Sequence, residues 1–114
     1  MITVNELAAQ GDLLFRRIDH LPGDVEPTSA ERIIVGHSET GHHHVVDGPG
    51  ARLYERRERD PFVCFLVVYE AFADVHHLRS YDAHQTLRLP RGFWEVRRQR
   101  EWVPEGFYYT LARD

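Results

Sequence analysis

The chain has 114 residues, of which 42% are hydrophobic and 28% charged. That suits one globular domain with a core of its own and excludes wholesale disorder. The formal net charge is −4 and all 14 basic residues are arginine, a balance that argues against a nucleic-acid or anionic-membrane binder.

A single cysteine, Cys64, excludes an internal disulfide and any multi-cysteine zinc site. No apolar run approaches the ~20 residues that span a bilayer. Met1–Glu6 has neither the basic nor the apolar region of a secretory signal, so a cytoplasmic, non-membrane protein is expected.

In chain order, Thr3-Val4-Asn5-Glu6 reads as a capping box and Gly11 as a stop, which predicts a short N-terminal helix. Asp12–Asp19 reads as a strand, Leu21-Pro22-Gly23-Asp24 as a turn and Val25–Ala30 as loop. Arg32–Ser38 is a β-branched strand entering a Glu39-Thr40-Gly41 turn, and His42–Val46 returns as the second arm of a hairpin. Asp47-Gly48-Pro49-Gly50 is a loop, Ala51–Glu55 a short strand and Arg56–Asp60 a charged loop.

The continuous apolar run Phe62–Tyr69 predicts a central strand buried on both faces, followed by a segment, Glu70–Leu78, that suits either strand or helix. Moderate alternation over His84–Leu89 leads to a predicted turn at Leu89-Pro90-Arg91-Gly92. A long strand follows over Phe93–Trp102, then a Pro104-Glu105-Gly106 turn and a last strand over Phe107–Leu111. Strands recurring every ~10–15 residues between turn signals predict one all-β domain over residues 1–114, a small barrel or sandwich.

The stretch with most chemistry is His37-Ser38-Glu39-Thr40-Gly41-His42-His43-His44. Alternate residues of a strand share a face, so His42 and His44 point together and are expected to share a metal. His37 lies across the turn, and His84 is the expected ligand from a later strand. Neutral imidazole suits a divalent transition metal such as Zn, Fe, Ni, Cu or Mn. Glu39 is the expected acid/base or supporting carboxylate, with Asp47 beside it. A metal-free reading uses the same histidines as general acid and base in a hydrolase or nuclease. His76-His77 faces two ways and reads as surface, with His76 a reserve ligand; Cys64, inside the apolar run, reads as a buried, inert thiol.

Along Phe93–Trp102, Trp94, Val96, Arg98, Arg100 and Trp102 form one face. Arg98, Arg100 and Trp102 are the candidate binding residues, because arginine and aromatic side chains on one strand suit single-stranded nucleic acid. Glu95 and Glu101 offset that charge, so the competing reading is a non-catalytic interaction module. Such a module would dock a sister subunit as a homodimer, a protein partner, or a larger phage or nucleoprotein assembly.

Together, His37–His44, His84, Leu89-Pro90-Arg91-Gly92-Phe93-Trp94-Glu95-Val96, Gln99-Arg100-Glu101-Trp102 and Pro104-Glu105-Gly106 resemble a family of small bacterial and phage proteins. That family carries a T-G-H-x-H turn and a later L-P-x-G-x-aromatic-x-V-x-x-Q-R-E-aromatic segment, and no activity is assigned to it. Gly11-Asp12-Leu13-Leu14 and Leu21-Pro22 fit its beginning, so the resemblance implies a shared histidine site. His42, His44 and His84 also resemble, more faintly, the H-x-H pair and late histidine of cupins. No glutamate follows His44 at the cupin distance, and Pro90 and Gly92 come after the late histidine instead of before it.

Overall fold

The computed structural model describes residues 1–29, 33–36, 44–47, 50–77 and 86–98. Its strands are β1 (Ile2–Thr3), β2 (Leu7–Gln10), β3 (Leu13–Ile18), β4 (Val25–Pro27), β5 (Ile33–Gly36), β6 (His44–Asp47), β7 (Ala51–Arg56), β8 (Val63–His77) and β9 (Leu87–Arg98). Among the described residues there is no helix, so the all-β expectation holds. The expected N-terminal helix is instead a hairpin. Gln10 pairs with Leu13 across a two-residue loop, Gly11-Asp12, and Gly11 has φ 58°. A positive φ at the first loop position only is the type II′ pattern, whose twist matches the strands it joins. Gly11 therefore reverses a strand where it was read as stopping a helix.

All the strands belong to one sheet built on a long antiparallel ribbon of β8 and β9. The two halves of the ribbon carry different neighbours. Val63–Val68 and Gly92–Arg97 sit in the order β2-β3-β9-β8-β7-β4. Phe72–His77 and Leu87–Pro90 sit in the order β1-β9-β8-β6-β5, with β1 parallel to β9. Glu70–His77 is thus strand throughout its described length, and the Val25–Ala30 loop contains β4, whose Pro27 lies on the edge, where a missing N–H does no harm.

Between the halves the register slips: Val68 pairs with Gly92, but Phe72 pairs with Pro90, so residues 69–71 face Arg91 alone. The buried side chains change sides at this bulge. Those of the core cluster run Leu66, Val68, then Ala73, Val75 on β8, and Leu87, Leu89, then Trp94, Val96 on β9. Each jump of five residues breaks the two-residue period of a strand. The two half-sheets therefore turn their apolar faces toward each other, as strands do when they pass between layers through a bulge. One core results, with Leu13, Phe15, Leu66 and Trp94 from one half packed with Val46, Val75, Leu87 and Leu89 from the other.

The predicted Leu89-Pro90-Arg91-Gly92 turn is this bend, in the middle of β9. Pro90 and Gly92 are tolerated there because the ladder is already interrupted. Gly92 has φ +147°, and a Cβ on it would stand 2.9 Å from Arg17 Nη2. Arg17 needs that space: it donates to the Arg91 carbonyl and, at 3.4 Å, to the Asn5 carbonyl, and lies 5.4 Å from the centre of the Trp94 ring. Trp94 Nε1 in turn donates to Pro90 O at 3.0 Å. On the other strand, the Tyr69 and Glu70 N–H groups donate to Gly50 O at 2.9 and 3.3 Å, so the bulge leaves neither amide unsatisfied.

Two expectations follow. Gly92→Ala combines a glycine-only φ with the Arg17 clash and should cost about 1–3 kcal/mol in denaturant unfolding; an unchanged midpoint would refute this account of the bend. Beyond the bend, Arg88 grips both oxygens of Asp74 at 2.8 and 3.0 Å. That hydrogen bonding holds the Asp74 carboxyl below the usual aspartate range, outweighing its desolvation. With the folded pKa lowered, the contribution is complete above the unfolded value of about 3.9 and is lost as pH falls through the folded one. Asp74→Asn should therefore flatten the stability–pH curve below about pH 4, and an unchanged slope there would refute it.

Candidate functional site

Of the expected metal ligands, acid/base group and binding residues, His44 and Arg98 lie among the described residues. His37, Glu39, His42, His84, Arg100 and Trp102 lie outside them, as do the Glu39-Thr40-Gly41 turn and the strand expected over Phe107–Leu111. His44 opens β6 on the same face as Val46, so it points into the space between the half-sheets and is only 3% exposed. A buried imidazole needs partners. Two come from the β2–β3 hairpin of the opposite half-sheet: Gln10, which is 3% exposed, and Asp12 at the loop.

The chemistry of this contact is set by Gln10. Its Nε2 donates to the Val75 carbonyl at 2.9 Å, which fixes which end of the amide is oxygen. Gln10 Oε1 then lies 2.8 Å from His44 Nδ1. An amide oxygen only accepts, so Nδ1 carries the hydrogen. The other nitrogen, Nε2, stands 3.6 Å from Asp12 Oδ1, longer than a hydrogen bond. Asp12 Oδ2 is 3.5 Å from Arg98 Nε, which places Arg98 on the inner face beside Leu13, its cross-strand partner. The His44 ring first, and Arg98 after it, hold the Asp12 carboxyl below the usual aspartate range against the opposing effect of burial.

The sequence reading missed Gln10 and Asp12. The Gln-Gly-Asp-Leu hairpin was the available signal, but it locates a turn and says nothing of what the turn touches. Among the described residues no three His, Cys, Asp or Glu side chains gather as a metal site would require; His44 and Asp12 make a pair. His76 sits on the neighbouring strand with Nδ1 3.1 Å from Thr86 Oγ1. Asp47 pairs in register with Asp74. Burial pushes the Cys64 thiol up to about 12, with Glu55 adding to the rise, so it stays protonated at neutral pH and is a packing group, as expected.

The chain's path bears on the remaining histidines. Residues 37–43 lie between Gly36 and His44, which are register partners. Residues 78–85 lie between His77, the partner of His44, and Thr86 in the sequence. Seven of the eight histidines, all but His20, therefore belong to these strand ends or the segments between them.

The core end of this network gives a direct test. Gln10→Ala would leave the Val75 carbonyl and His44 Nδ1–H without the amide that joins them. A loss of about 1–3 kcal/mol is expected, with the amides of β2 and β6 losing hydrogen-exchange protection together. Loss of protection in β2 alone would mean that the amide does not couple the half-sheets.

The model of a protein family described as a domain of unknown function (DUF8820) matches residues 9–99. The match takes in Gln10, Asp12, His37, Glu39, His42, His44, His84 and Arg98, while Arg100 and Trp102 fall beyond it. No curated protein and no solved structure matches the chain.

Proposed function

The chain belongs to the DUF8820 family, and on that footing we propose that this small β domain holds a divalent transition metal through His44 Nε2 and the Asp12 carboxylate. His42, His37 and His84 are the proposed further ligands, and Glu39 the proposed acid/base or supporting group. The observation that carries the reading is the orientation of Gln10. With the hydrogen on Nδ1, a neutral His44 ring turns its Nε2 lone pair toward a carboxylate oxygen 3.6 Å away. A nitrogen and a carboxylate oxygen set this way can share one cation between them. Donors bound at about 2.0–2.1 Å in a tetrahedral site stand roughly 3.4 Å apart, close to this spacing.

The surroundings also favour a metal. A ligating histidine commonly donates its second N–H to an oxygen that fixes the ring, the part Gln10 takes here. Arg98 Nε, 3.5 Å from the other Asp12 oxygen, adds a positive charge beside that carboxylate. The rival cation is a proton on Nε2, which would make the pair a buried ionic clasp and the domain an interaction module with no metal chemistry. His42 and His84 separate the two, since a clasp has no use for them.

The test is elemental analysis and cobalt(II) titration of tag-free protein prepared without immobilised metal. About one equivalent is expected, weakened in Asp12→Asn and lost in His44→Ala and in His42→Ala/His84→Ala. At a hundredfold excess over Kd the metal should add about 2.7 kcal/mol to unfolding stability. Because His44 is buried, circular dichroism of each variant accompanies the titration. Folded wild-type protein that takes up no metal, or a His42→Ala/His84→Ala variant that binds it as tightly, would overturn the proposal.

A further inference from the structure

A cavity of about 240 Å³ opens at the end of the core near the β7–β8 connection. Ile34, Pro61, Phe62 and Cys64 give it accessible apolar surface, and Glu55, Arg59, Asp60 and Arg98 line its polar part. At a liquid share of about 30 Å³ per water-sized group it holds about eight such groups, the size of a small aliphatic amino acid.

The charges at the cavity are not equally engaged. Asp60 accepts the Phe62 N–H at 2.9 Å and lies 3.9 Å from Arg56 Nε. Arg98 lies against Asp12. Glu55 and Arg59 are both exposed, and neither has an ion-pair partner among the described residues. Glu55 continues the inward-facing series Ala51, Leu53 along β7, so its carboxylate comes out where the apolar wall ends. It also sits directly across from Glu26 of β4. Like charges opposite each other in a ladder repel; Arg57 Nε stands 4.0 Å from Glu26, which leaves Glu55 as the carboxylate of the pair that a further cation would serve. Arg59 offers the opposite charge on the same cavity, in a side chain suited to carboxylate.

One carboxylate, one guanidinium and an apolar recess match a molecule with an ammonium, a carboxylate and a short hydrocarbon body. We propose that this cavity binds a free aliphatic α-amino acid, with the ammonium toward Glu55, the carboxylate toward Arg59 and the side chain toward Phe62 and Cys64. The proposal stands apart from the metal reading, because none of these contacts uses His44.

It is tested by calorimetric and ligand-observed NMR titration of the full chain with L-leucine and L-valine in the presence of chelator. Saturable binding is expected. 4-Methylpentanoate, which lacks the ammonium, and leucinamide, which lacks the carboxylate, should each bind roughly tenfold or more weakly. Glu55→Gln should weaken leucine but not 4-methylpentanoate, and Arg59→Gln should weaken leucine but not leucinamide. Both side chains are exposed, so these variants leave the core intact. Absence of saturable leucine binding at millimolar concentration would overturn the proposal, as would equal binding of leucine and either single-headed analogue.

Discussion

The molecule depends on one bend. A two-stranded ribbon twelve to fifteen residues long buries one face only if alternation is kept, and this ribbon reverses its alternation half-way. Without the reversal, the apolar side chains of the two halves would lie on opposite faces of a flat sheet and no core could form. The three residues opposite Arg91, the open φ of Gly92 and the Arg17 side chain in the space beside it together make the reversal affordable. Strand order, core composition and the meeting of β2 with β6 all follow from it.

The polar contact of Gln10, Asp12 and His44 is a product of the same geometry. In sheet order β3 and β6 are separated by β9 and β8. Folding the ribbon brings an inward residue of one half against an inward residue of the other, at the place where the apolar packing ends. An aliphatic pair there would tolerate sliding between the layers. An amide held at one end by the Val75 carbonyl and at the other by an imidazole accepts a single register. The network thus fixes how the halves sit and at the same time aims the second imidazole nitrogen, so positioning and chemistry are one device.

Much of the fold was legible in the sequence because β-branched runs and turn residues act locally. Leu13–Ile18, Ile33–Gly36, Ala51–Arg56 and the central apolar strand all lie where the pattern predicts. Apart from the short edge strand β4, which falls where a loop is expected, the errors are of one kind. Gly11, Pro90 and Gly92 were recognised as breaks, but a break permits several outcomes: a helix stop or a hairpin loop at Gly11, a reversal or a bend at Pro90 and Gly92. Which one occurs is decided by distant residues, Arg17 for Gly92 and, for Gly11, the β9 residues that β3 pairs with. The site was half legible for the same reason. His44 stands out beside other histidines, whereas Gln10 and Asp12 look ordinary, since their significance is a contact 34 residues away along the chain.

The central place of β9 has a consequence for how the chain folds as it is made. β9 is the shared neighbour of β1, β3 and β8, and its pairing with β3 joins residues about 80 positions apart, such as Arg16 with Glu95. Loops of that length are slow to close, and their cost is met before any long-range pairing rewards it. A ribosome that has released only the first half of the chain has therefore produced hairpins without a common strand to join. The N-terminal β2–β3 hairpin, with Leu13 and Phe15 on what will become its inner face, must wait with apolar surface uncovered until Trp94 and Val96 emerge. Assembly is a late, concerted step, and the nascent chain is most exposed to aggregation and to chaperone capture just before β9 leaves the exit tunnel.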